Sequence, residues 1–109
     1  MEWYAGSTHE SSFAETFAPA SHWELTDLVA VVTRAPKGTG STQGHTSAAS
    51  SVLQQARLDS APERLARCRE AILGRDFASL AQVAELDAAL LHAVMMTSTR
   101  PLLTRTPVP

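Results

Sequence analysis

The stretch Asp27–His45, DLVAVVTRAPKGTGSTQGH, decides how this chain is read. It opens on the strongest strand candidate in the sequence, Leu28-Val29-Ala30-Val31-Val32, a continuous apolar run of the kind covered on both faces of a sheet. Pro36 ends the run. A turn follows with the chain's only lysine, Lys37, and with Gly38, Gly40 and Gly44. Helix-compatible sequence then extends from His45 to Leu58. A strand feeding a glycine- and hydroxyl-rich loop that opens a helix can hold a phosphate. Glycines let the backbone approach the anion, free N–H groups of the first helical turn point at it, and the helix dipole favours negative charge there. The spacing G-T-G-S-T-Q-G matches neither the dinucleotide fingerprint nor the Walker loop, whose lysine follows its glycines. By spacing alone, an ordinary strand-to-helix loop is the more economical reading.

Composition sets the limits around this segment. A chain of 109 residues fits one modest domain with a thin core. The net charge of −2 and the dispersed basic residues argue against a dedicated nucleic-acid binder. Arg64, Arg67, Arg69 and Arg75 form the one loose basic cluster, which at helical spacing reads as a solvated face. Cys68 is the single cysteine, so no internal disulfide can form, and its neighbours Leu65 and Ile72 suggest a small buried hydrophobe. The first ten residues lack the basic flank and apolar run of a secretory signal, and a cytoplasmic setting is expected. The apolar stretch Ala88–Met96 is interrupted by His92 and falls short of the ~20 residues needed to span a bilayer, so no membrane partner is expected.

Along the chain, Glu2-Trp3-Tyr4-Ala5-Gly6 reads as the tail of a strand entering a turn. Ser12–Phe17 reads as an edge strand or one helical turn, and Pro19 breaks it. Three helices follow the main strand, at about 45–58, 60–74 and 76–97. The second is marked by Ser60-Ala61-Pro62-Glu63, a capping box with Ser60 as N-cap, and by Gly74 as its stop. Leu65, Cys68, Ile72 and Leu73 form its apolar face. Asp76 caps the third, whose stripe is Phe77, Leu80, Ala81, Ala84, Leu91 and Val94. The tail from Thr99 has three prolines and little periodicity. The pattern is α+β, one or two strands and then three helices. One or two strands cannot cover both faces of Leu28–Val32, so the domain reads as incomplete and marginally stable alone.

Two polar residues stand out on the third helix. Asp87 falls on the apolar stripe, where an acid must find donors, so it either anchors structure or lines a pocket. His92 reads first as a satisfied core histidine, since no second His or Cys stands at ligand spacing on that helix and no metal site is expected. Neither His9, Ser12 and Asp27 as a triad nor Met95-Met96 as a binding surface is persuasive.

The motifs taken in order carry a resemblance. E-W-Y-A-G, S-S-F-A-E, H-W-E-L before the apolar run, G-S-T-Q-G and L-D-A-A-L-L-H-A-V-M-M-T-S resemble the middle-to-C-terminal part of the diphosphomevalonate and phosphomevalonate decarboxylases of the GHMP kinase superfamily. The likeness covers nearly the whole chain. It implies residues 1–24 as a connecting segment with a possible edge strand, and 25–109 as part of a ferredoxin-like C-terminal domain. It also implies an ATP-dependent decarboxylation in the mevalonate route to isoprenoids, with ATP and Mg2+ as cofactors and a small phosphorylated mevalonate as substrate. A homodimer is implied for the full-length form.

By the same resemblance, Ser41 contacts the substrate's phosphate groups with Thr42 and Gly40 beside it, and Asp87 and His92 are pocket support; Lys37, in the same turn, is a further candidate for pocket support. The chain departs from the pattern at His45 and at Arg100-Pro101. The family's nucleotide loop corresponds to sequence before Met1 and its catalytic aspartate to sequence after Pro109. No catalytic residue is therefore expected within these residues, and the chain alone is expected to be inactive, since phosphoryl transfer rests on positioning and charge neutralisation around the nucleotide. A phosphomevalonate decarboxylase or a mevalonate kinase of the same superfamily remains an alternative, as does an inert helical interaction module.

Overall fold

The computed structural model describes residues 1–35 and 48–98. Four regular elements stand among them: β1 (Glu2–Tyr4), β2 (Phe13–Glu15), α1 (Gln54–Leu73) and α2 (Phe77–Met96). A 3-10 turn at Ala20–His22 follows the strands. The α+β class stands. Among the described residues there are two helices, not the expected three, and the strands lie at the N-terminus.

β1 and β2 pair antiparallel with Trp3 opposite Ala14 and Tyr4 opposite Phe13. The rings of Tyr4 and Phe13 stack at 5.0 Å, the cross-strand aromatic contact that steadies so short a ribbon. Gly6 allows the return, because a Cβ there would collide with the backbone of Ser11. The reading of these two segments as strand pieces is borne out.

The expected break between the first two helices is absent. Gln54–Leu73 is one helix with Pro62 in its interior, and Ser60 lies inside it, not at its start. A proline lacks the N–H that would bond back four residues, and its ring crowds the carbonyl there. The carbonyl that loses its donor is that of Leu58, and side chains bond to the carbonyls just before it. The Ser60 hydroxyl lies 2.8 Å from the carbonyl of Ala56. Arg64 donates from Nη2 to the carbonyl of Arg57 at 3.0 Å. The sequence signal for a capping box was therefore a proline accommodated within a longer helix.

α1 ends as expected beside Gly74, but the left-handed residue is its neighbour. Gly74 has φ −86°, whereas Arg75 has φ +52°. The amide of Asp76 reaches back to the carbonyl of Ala71 at 2.9 Å and that of Arg75 to Ile72 at 3.2 Å, so the last helical carbonyls are paired. Asp76 then caps α2, its carboxylate accepting from the Ser79 amide at 3.1 Å and the Ser79 hydroxyl at 2.6 Å. This cap was legible in the sequence.

The two helices form an antiparallel hairpin joined by this turn. Its seam runs at heptad-like spacing: Ala61, Arg64, Cys68 and Ala71 on α1, and Leu80, Val83, Asp87, Leu90 and Val94 on α2. Ala71, Val83, Val94 and Met95 are its buried apolar members. Phe77 and Ala84, expected on the buried stripe, are exposed. Leu65 and Leu73 are also largely exposed, so the seam runs along the neighbouring line of α1. At the far end of the hairpin, Ser51 and Thr97 meet through their hydroxyls. Among the described residues, α2 is the one helix long and apolar enough to cross a membrane. Val83, Val94 and Met95 are its buried members and Asp87 pairs with Arg64 of α1, while most of the helix is exposed.

The largest departure concerns Leu28–Val32. No strand among the described residues includes or pairs with it. Its side chains are open to solvent rather than covered on two faces, with Leu28 at 90% and Val29 at 76% exposed. A strand exists only where another supplies its hydrogen bonds, and neither β1 nor β2 does so.

Candidate functional site

Of the residues singled out in the sequence, Lys37, Gly40, Ser41 and Thr42 lie outside the described residues. Asp87 and His92 lie within α2. Five residues of α-helix turn through roughly 140°, so these two project from different faces and do not form one site.

Asp87 has a specific partner. Its Oδ1 accepts from Nε of Arg64 at 2.9 Å, and the burial is opposite to that expected. The Arg64 side chain is 7% exposed and that of Asp87 52%. The charge taken out of water is the guanidinium, held in the seam by three acceptors: Asp87, the Ser60 hydroxyl at 2.6 Å and the Arg57 carbonyl at 3.0 Å. Such satisfaction is what a buried arginine needs. Asp87 is thus the anchor reading made concrete, at a half-exposed position. Reading Arg64 as part of a solvated face is corrected. The signal available in the sequence was an acid on an apolar stripe, which calls for a cation on the facing helix. His92 is half-buried on the adjoining face of α2.

Arg69 departs from the solvated face as well. It donates from Nη1 to Oε2 of Glu2 at 2.6 Å and lies 4.8 Å from the centre of the Phe17 ring. Tyr4 donates to the same carboxylate oxygen at 2.9 Å. That bond, together with the negative charge of Glu2, raises the Tyr4 phenol above its ordinary value. Nearer the helix turn, Nε2 of His22 lies 2.9 Å from the Ile72 carbonyl; a carbonyl can only accept, so Nε2 carries the proton. Trp23 meets Phe77 edge-on at 6.5 Å. These contacts lash the N-terminal segment to the helical hairpin.

A cleft of about 410 Å³ lies beside the α1–α2 turn, lined by Arg67, Glu70, Asp76, Ser79 and Gln82 among others. Two carboxylates facing a single guanidinium make it a poor phosphate site. The two Ser79 bonds hold the Asp76 carboxyl below its ordinary value. Among the described residues no group of three His, Cys, Asp or Glu side chains converges as metal ligands. None of the described side chains is assigned to ATP or Mg2+.

The hairpin and the loop before it are parts of a recognisable domain. Residues 27–106 match the family model of the mevalonate 5-diphosphate decarboxylase C-terminal domain, and the chain belongs to that family. It is similar to the diphosphomevalonate decarboxylase of Aspergillus fumigatus, 38% identical over 107 residues, which cover 94% of this chain and 26% of that protein. It is 37% identical over 107 residues to the diphosphomevalonate decarboxylase of Homo sapiens, covering 94% of this chain and 27% of the relative. To that of Debaryomyces hansenii it is 36% identical over 96 residues, covering 85% and 25%. The chain spans about a quarter of the length of the curated relatives it matches. The expected resemblance is borne out, and with it the α+β domain class.

Proposed function

We propose that this chain is a section of an ATP-dependent diphosphomevalonate decarboxylase, in which the Gly40-Ser41-Thr42 loop holds the substrate's phosphate groups. The observation that carries the reading is the family match, which starts at the Leu28–Val32 run and includes both this loop and the whole helical hairpin. The chemistry of the loop agrees with the role. Hydroxyls and backbone N–H groups at a helix start suit phosphate oxygens, and Lys37 supplies the only lysine charge nearby in sequence. The Arg64–Asp87 pair fixes α1 against α2. ATP and Mg2+ supply the phosphoryl group and the charge neutralisation. The residues of this chain bind and orient the substrate.

The test is turnover of a protein carrying this sequence within the full length of its relatives. With ATP and Mg2+ and a diphosphorylated mevalonate, the expected products are carbon dioxide and an isopentenyl diphosphate. Ser41→Ala is expected to raise KM for that substrate by about tenfold or more, the loss of one charge-assisted hydrogen bond. An unchanged KM removes Ser41 from the site. Phosphorylation of unphosphorylated mevalonate with no release of carbon dioxide favours the kinase reading, and preference for a monophosphorylated substrate favours the phosphomevalonate decarboxylase.

A further inference from the structure

Ala48 stands seven residues after Ser41, and from it the chain turns into α1. The Ser51 amide donates to the Ala48 carbonyl at 3.0 Å and the Gln54 amide to the Ser51 carbonyl at 3.3 Å. Ala48 and Ser51 are both buried. At the turn, the hydroxyls of Ser51 and Thr97 join the start of α1 to the end of α2. Their proton directions are fixed. Thr97 Oγ1 lies 2.6 Å from the Ala93 carbonyl, which can only accept, so the Thr97 proton points there. Ser51 is then the donor to Thr97, and the Leu53 amide donates to the Ser51 hydroxyl at 3.1 Å. The result is a one-way chain from Leu53 through two hydroxyls to Ala93.

We propose that Ser51 and Thr97 are positioning residues for the substrate's phosphate groups. They fix the chain on the far side of the Gly40-Ser41-Thr42 loop and so set where Ser41 can reach. The proposal rests on the phosphate-binding role given to that loop above. A glycine-rich stretch has wide backbone freedom, so its placement depends on where its ends are held. The two ends differ. Residues 24–35, which lead into the stretch, are exposed, whereas Ala48 and Ser51, which follow it, are buried and bonded. The burden of holding the loop therefore falls on the Ser51 side. Both hydroxyls are engaged with each other and with the backbone, so they act through the loop and not on the substrate.

The test is steady-state kinetics of a protein carrying this sequence within the full length of its relatives, with a diphosphorylated mevalonate and ATP each varied. Thr97→Val keeps the shape of the side chain and removes its hydroxyl. It is expected to raise KM for the mevalonate substrate about fivefold, with kcat and the KM for ATP changed by less than about twofold. Thr97→Ser, which keeps the hydroxyl, should restore the parent value. Ser51→Ala should match Thr97→Val, and the two together should be no worse than either alone, as for partners in one contact. With Ser41→Ala already in place, Thr97→Val should shift KM by less than about twofold, because the residue it positions is gone. Lower kcat with both KM values unchanged is the mark of a smaller folded fraction and overturns the proposal. An unchanged KM in Thr97→Val where Ser41→Ala raises it also overturns the proposal, and leaves Ser41 in the site. An unchanged KM in Ser41→Ala removes the loop from the site, and the positioning role falls with it.

Discussion

The helical hairpin and the segment at residues 24–35 are similarly rich in aliphatic side chains, yet one is packed and the other is open. In the hairpin the helix turn and the buried Arg64 guanidinium find their partners within about 45 residues of chain. Asp76 caps α2, the Arg75 turn closes α1, and Asp87 and Ser60 hold the buried guanidinium. In the open segment the requirement is a ladder of backbone hydrogen bonds, which only a second strand can supply. Helices satisfy their backbone locally and strands do not, so a short chain completes the one and leaves the other waiting.

The largest effect is expected from breaking the ion pair across the hairpin. Asp87→Ala leaves Arg64 in the seam without its counter-charge and should cost roughly 2–3 kcal/mol, below the full price of a buried pair because Asp87 is half-exposed. Arg64→Met should cost less than about 1 kcal/mol, because it removes the charge together with its need for a partner. Urea unfolding of the two variants checks the asymmetry; equal losses would show that the pair itself, not the stranded guanidinium, carries the stability.

The turn between the helices offers a change of opposite sign. Arg75 holds φ +52°, where a side chain is strained and glycine is not. Arg75→Gly should stabilise the hairpin by about 1 kcal/mol, seen as a higher thermal midpoint. A lower midpoint would mean that the Arg75 side chain contributes more than its backbone strain costs.

Smaller effects belong to the link between hairpin and N-terminus. Glu2→Gln weakens the bond to Arg69, a contact half open to water, and should cost about 0.5 kcal/mol or less. Its clearer sign is faster amide exchange in β1 and β2 with α1 and α2 unaffected. Equal acceleration in all four elements would make the two regions one cooperative unit.

Acid separates the regions most gently. The Asp76 carboxyl titrates below its ordinary value, so its contribution to α2 is present above about pH 4 and is lost as pH falls through the depressed folded value. At the alkaline end the raised Tyr4 phenol contributes fully below about pH 10 and loses its bond to Glu2 as pH rises through the folded value. Helical circular dichroism followed down in pH, with Asp76→Asn as the control, should show the acid-dependent part disappear in the variant.

Much of this was legible in the residues themselves. Asp76 as a cap, the end of α1 beside Gly74, the strand character at Trp3 and at Phe13–Glu15 and the family itself were readable, since each rests on local preference or on ordered motifs. Pro62 misled, because Ser60 and Arg64, which bond to the carbonyls of Ala56 and Arg57 beside it, also look like parts of a helix start and a solvated face. The loop around Ser41, proposed to hold phosphate, was singled out by its glycines and hydroxyls and lies outside the described residues.

The sequence by itself determined the helix-forming stretches, the cap at Asp76 and the membership of the decarboxylase domain family. Tertiary structure alone decided which helix face is buried, that Arg64 rather than Asp87 is the charge withdrawn from water, and that Leu28–Val32 forms no strand among the described residues. The physical reason is range: caps and turns are settled within a few residues, whereas burial and strand pairing depend on a neighbour the local sequence cannot name.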